Sequence, residues 1–82
     1  MFSIFLRGVT VTSFGTHLRE IRKSHQLTQK QVAEAIGITE RNYQRYESDE
    51  QKPAFDMLIA LADYFKISLD YLAGRSDNPA LQ

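Results

Sequence analysis

The sequence predicts an all-α domain preceded by a short extended segment. From Ser13 to about Ala73 the apolar residues recur at helical spacing, and the stretch is divided by hydroxyl residues suited to helix starts and by glycines suited to helix ends. With 82 residues, of which 43% are apolar, the chain has room for one core and no more.

Residues 1–12, MFSIFLRGVTVT, are rich in Phe, Ile, Val and Thr, with Phe2, Ile4 and Leu6 alternating against Ser3, Phe5 and Arg7, an alternation that Phe5 makes imperfect, so they favour an extended strand. Ser13 can cap a first helix whose apolar face carries Phe14, Leu18 and Ile21; His25 and Gln26 end it. Thr28-Gln29-Lys30-Gln31 reads as a capping box that starts a second helix, with Val32, Ala33 and Ile36 inward and Gly37 as a left-handed stop. Thr39 caps a third helix with Tyr43 and Tyr46 inward. Its Arg41, Gln44, Arg45 and Ser48 form an uncovered polar face. After the polar loop 49–52, Pro53 is expected at the start of a fourth helix, whose core stripe is Leu58, Leu61, Ala62 and Phe65. Ser68 caps a last short helix with Leu69 and Leu72 inward, and Gly74 ends it. The expected organisation is thus a strand extension over 1–12, a helical domain over 13–74 and a polar tail over 75–82.

Composition narrows the function. Without Cys there is no disulfide, thiolate nucleophile or thiolate-bound zinc, which fits a cytoplasmic location. His17 and His25, eight apart and expected to be solvated on the first helix, make a poor metal site. No apolar run approaches the roughly 20 residues that span a bilayer, and the opening segment lacks the features of a signal peptide. There is no glycine-rich phosphate loop and no paired carboxylate in a plausible cleft, so neither an enzyme nor a cofactor or small-molecule substrate is expected.

Two short helices joined through Gly37, the second with an open polar face, make a helix-turn-helix arrangement, although a plain helical bundle fits the periodicity too. Longer motifs are more specific. LTQ at 27–29, Ala33 to Gly37 as A-x-x-x-G, RYE at 45–47, Lys52-Pro53 and LADYFKISLDYL at 61–72 follow in order. Over Leu18 to Gly74 the chain resembles the phage repressor/Cro-type (XRE) helix-turn-helix DNA-binding family. The resemblance implies a five-helix repressor-like domain whose second helix lies across the DNA backbone while the third enters the major groove.

Carried onto this sequence, the resemblance places Glu40, Arg41, Gln44 and Arg45 opposite base edges, and Thr28, Gln29, Thr39, Asn42, Ser48 and Lys52 near phosphates. Arg41 and Arg45 can each present a fork to guanine, and Gln44 can pair with adenine. Glu40 can accept from a cytosine amino group or hold Arg41 or Gln44 in place. Gln29, at the start of the second helix, can donate to a phosphate oxygen beside the free backbone amides there. Thr28 is expected to serve more as a cap than as a contact. Arg22 and Glu47 match a family ion pair that ties the first helix to the end of the third. One position departs from the pattern: Asp49 stands where the family often has Gly. Asp tolerates the left-handed region better than most residues, so the turn is expected to survive, but with Glu50 following, the acidic pair is expected to weaken phosphate contacts from the loop.

The function expected is that of a sequence-specific transcriptional regulator, repressor-like, binding double-stranded DNA as a homodimer. An antitoxin or restriction-modification controller would use the same domain, and a protein-interaction module could have kept the fold and lost DNA affinity. Two features are candidates for the dimer: the strand, through Phe2, Ile4, Leu6, Val9 and Val11 in an antiparallel ribbon, and a second apolar stripe of Met57, Ala60, Tyr64 and Tyr71. The net charge is zero, but unevenly spread. Residues 1–52 carry eight basic against six acidic residues, and residues 53–82 carry two against four.

Overall fold

In the computed structural model, which describes residues 13–74, the chain forms five helices: α1 (Phe14–Ser24), α2 (Gln29–Ile36), α3 (Glu40–Glu47), α4 (Phe55–Phe65) and α5 (Leu69–Leu72). The expected strand over 1–12 and the tail over 75–82 lie outside the described residues.

Local chemistry sets the helix starts. The hydroxyls of Ser13, Thr28, Thr39 and Ser68 each accept a backbone N–H from the third residue of the helix that follows. At Thr28 the capping box is complete, since Gln31 returns a side-chain acceptor to the Thr28 amide at 2.8 Å. Only α4 starts without a side-chain cap. Pro53 does not begin it: Ala54 is the extended N-cap, the helix starts at Phe55, and Pro53 is buried just outside.

Four of the helices end alike, in a residue of positive φ followed by an apolar or loop residue whose amide reaches back five positions. Gly37 does this after α2, as expected, with φ of 81° and the Ile38 amide bonded to the Ala33 carbonyl. Gln26, Asp49 and Lys66 do it after α1, α3 and α4, at φ between 58° and 65°. Their amide partners are Leu27 to Arg22, Glu50 to Arg45 and Ile67 to Ala62.

The core joins all five helices through Leu18, Ile21, Val32, Ala33, Tyr43, Tyr46, Leu61, Ala62, Phe65 and Leu72, closed by Ile67. Leu58 is half-buried at its edge rather than central. The second apolar stripe, the other candidate for the dimer, is partly covered within one chain: Met57, Tyr64 and Tyr71 pack against the core, and Ala60 is half-buried. The large apolar side chains most open to solvent among the described residues are instead Phe55 and Ile59, one turn apart on α4.

The histidines also differ from expectation. His17 is half-buried; its Nε2 lies 2.8 Å from the Tyr71 carbonyl oxygen and its ring meets Tyr71 edge-on, which ties α1 to α5. His25 lies beyond the helix as its C-cap, exposed, with its ring against Phe65. Both have close apolar surface to cover, so neither is simply solvated.

Candidate nucleic-acid interface

The α2–turn–α3 unit is fixed at both ends. Gly37 closes α2, Thr39 opens α3 two residues later by accepting from the Asn42 amide at 3.1 Å, and Val32, Ala33 and Tyr43 pack the two helices onto the core. The opposite side of α3 is bare. Glu40, Arg41, Asn42, Gln44, Arg45 and Ser48 are all exposed. Arg41, Gln44, Arg45, Ser48 and Glu50 line a shallow concavity on this face. Among the described residues, the Arg41 and Arg45 guanidinium groups have no hydrogen-bond or ion-pair partner, so all their donors are available. Glu40 holds neither Arg41 nor Gln44.

Gln44 is held from another direction. Its Nε2 donates to Gln29 Oε1 at 3.3 Å, and Gln29 Nε2 donates to Glu47 Oε1 at 3.0 Å. Gln29 is half-buried between α2 and α3, with one amide hydrogen left over. Thr28 and Thr39 spend an oxygen lone pair on capping but keep a hydroxyl hydrogen that can be donated outward.

Behind this face lies the expected ion pair. Arg22 Nε donates to Glu47 Oε2 at 2.7 Å and its Nη2 to Oε1 at 3.2 Å, while Nη1 donates to the Leu27 carbonyl at 2.9 Å. The two-pronged geometry satisfies both carboxylate oxygens at once. The Glu47 side chain is only 2% exposed, and Arg19 adds a more distant positive charge at 3.8 Å. Burial alone would push the Glu47 carboxyl up, but the bonds from Arg22 and Gln29 and the neighbouring Tyr43 hydroxyl outweigh it and hold it below the ordinary value. The Glu47 hydrogen bond in turn raises Arg22. Tyr43 is buried beside the pair with its hydroxyl making no well-formed hydrogen bond, and burial followed by the adjacent carboxylate pushes its phenol strongly up.

Asp49 has a role that sequence reasoning missed. Its backbone sustains the left-handed turn as expected, φ 65°, but its carboxylate also accepts the Gly15 amide at 2.9 Å, so the acid after α3 caps the start of α1. The nearby Ser13 hydroxyl, then the Gly15 amide, hold its carboxyl below the ordinary range. This contact sets the charge at the start of α1, where the helix dipole favours it. The approach is close because residue 15 is glycine: a Cβ there would lie 2.3 Å from the Glu47 carbonyl oxygen. A glycine in a first helical turn is unfavourable without such a reason, and that was the signal available in the sequence. Ser48 and Lys52, expected near phosphates, are both exposed in the turn beyond α3, with Lys52 near the Asp49 charge.

Comparison with known proteins gives the family. A family model described as Helix-turn-helix, HTH_3, matches residues 18–72. The chain belongs to this family. It is 45% identical over 62 residues to an uncharacterized HTH-type transcriptional regulator, YobD, of Bacillus subtilis (strain 168), covering 76% of this chain and 55% of that protein. It is 44% identical over 54 residues to the cryptic phage CTXphi transcriptional repressor RstR of Vibrio cholerae serotype O1, covering 66% of this chain and 48% of the repressor. The chain thus spans about half the length of the curated relatives it matches. Among solved structures, a transcriptional regulator from Listeria innocua superposes with a TM-score of 0.72 at 36% identity, covering 80% of this chain and 62% of the other. The P22 c2 repressor, crystallised with a synthetic operator, shares the fold with a TM-score of 0.75 at 24% identity, over 80% of this chain and all of that one. Among the described residues no helix is long and apolar enough to cross a membrane, and no group of three or more His, Asp and Glu residues is placed to hold a metal ion.

Proposed function

We propose that this chain is the DNA-binding part of a sequence-specific transcriptional regulator that acts as a homodimer and has no catalytic step or cofactor. The observation that carries the reading is the pair of unpartnered arginines, Arg41 and Arg45, one turn apart on the bare face of a helix whose other face is locked in the core. A helix of this width fits the major groove, and a guanidinium with all donors free can bridge guanine O6 and N7. Glu40 stands at the start of α3, where it can accept from a cytosine amino group. Thr28, Gln29, Thr39, Asn42, Ser48 and Lys52 border this face and suit phosphate contacts through their remaining donors.

One such face reads half an operator. Two faces roughly 34–36 Å apart, one DNA turn, would read an inverted repeat. The full chain incubated with a pool of random duplexes is therefore expected to enrich paired half-sites; recovery of an unenriched pool would remove the assignment. The zero net charge favours one competing reading, a protein-interaction module without DNA affinity. Salt separates the two. Regulator binding falls with rising salt by about 0.9 log units per log unit for each phosphate neutralised, whereas the module binds no duplex at any salt.

A further inference from the structure

We infer that Glu47, through Gln29, is a positioning residue for base recognition: it decides which end of the Gln44 carboxamide faces the DNA. The inference rests on the reading above, that Gln44 meets a base. Glu47 is nearly buried and pinned by both prongs of Arg22, so its Oε1 is a fixed acceptor with no proton to give. Gln29 therefore turns its NH2 group toward Glu47, at 3.0 Å, which sends its carbonyl oxygen the other way. That oxygen accepts from Gln44, so Gln44 must turn its own NH2 group toward Gln29, at 3.3 Å.

The reverse orientation of either amide sets oxygen against oxygen. Flipping Gln29 alone faces its carbonyl with the carboxylate, and flipping Gln44 alone faces its carbonyl with that of Gln29. The order of the chain thus follows from the charge of Glu47 and from donor and acceptor counts. Gln44 is left with one carbonyl oxygen and one amide hydrogen side by side. That edge matches the N6 donor and N7 acceptor of adenine in the major groove. A free glutamine can turn over and meet other edges; a Gln44 held in this way selects adenine.

The test measures base preference for the full chain and three variants by selection from random duplexes, followed by competition titration. Gln44→Ala locates the base pair that Gln44 reads. At that pair the wild type is expected to prefer adenine by roughly tenfold or more. Gln29→Met keeps the length of the side chain and leaves the Arg22–Glu47 pair intact, with folding checked by melting. It is expected to flatten that one position to below about threefold while the positions read by Arg41 and Arg45 keep their preference. Glu47→Gln, whose oxygen is claimed by Arg22 Nε so that its NH2 group faces Gln29, removes the fixed acceptor and is expected to abolish the adenine preference at the same position. If Gln44→Ala flattens a position that Gln29→Met leaves intact, the relay is overturned and base reading by Gln44 stands. A folded Glu47→Gln protein with full preference there overturns the part assigned to Glu47. If Gln44→Ala flattens no position, both the relay and the reading beneath it fail.

Discussion

Glu47 joins two tasks in one carboxylate: it closes the contact between α1 and α3 through Arg22, and it orders the amides of Gln29 and Gln44. Truncation leaves Arg22 buried without its partner, so Glu47→Ala is expected to lower stability by about 3–5 kcal/mol in urea unfolding. The carboxyl sits below the ordinary glutamate value of 4.5 in the folded chain, so its contribution is fully present above that value and is lost as pH falls through the lower, folded value. Melting followed from neutral pH downward should show this acid loss in the wild type and a reduced one in Glu47→Gln. At Gly15, alanine forces a methyl into the backbone of α3, and Gly15→Ala is expected to cost about 1–3 kcal/mol by the same unfolding measurement. The ion pair was legible in the sequence because it belongs to a motif. The inward bonding of Gln29 was not, and the turn of Asp49 toward Gly15 left only the unexplained glycine of the first helical turn as a sign. Both depend on residues 18 to 34 positions away, where no local pattern records the distance.

The helices show a similar divide between their two ends. Every hydroxyl cap expected from the sequence is in place, because a cap is settled within four residues of chain. The ends are less legible. Gln26, Asp49 and Lys66 take up the left-handed turn that glycine takes at Gly37, drawn there by the apolar residues Leu27 and Ile67 after α1 and α4 and by the Gly15 bond after α3. That conformation strains a residue with a Cβ. Lys66 is exposed, so Lys66→Gly is expected to stabilise the protein by about 0.5–1 kcal/mol, read as a rise in melting temperature. Thr28→Ala removes one half of the capping box and is expected to lower stability by about 1 kcal/mol. Pro53 shows the limit of the helix-start rule: its ring is buried in the turn before α4, and Ala54 opens the helix instead.

For the whole molecule, the balance of charge hides an arrangement. Residues 1–52 hold the excess of basic residues, and two of the acids among them are engaged within the chain: Glu47 by Arg22 and Asp49 by the Gly15 amide. Glu40 and Glu50 stay exposed beside Arg41 and Arg45, so no broad basic patch results. On the proposed reading, weak affinity for arbitrary DNA and strong dependence on the residues of α3 are expected. The most direct test is competition titration of the full chain and of Arg41→Ala and Arg45→Ala against duplexes substituted one base pair at a time. Each variant is expected to lose about 1–3 kcal/mol of preference at its own base pair and keep the preference elsewhere. Uniform weakening across all duplexes, with every preference intact, would contradict base reading by α3.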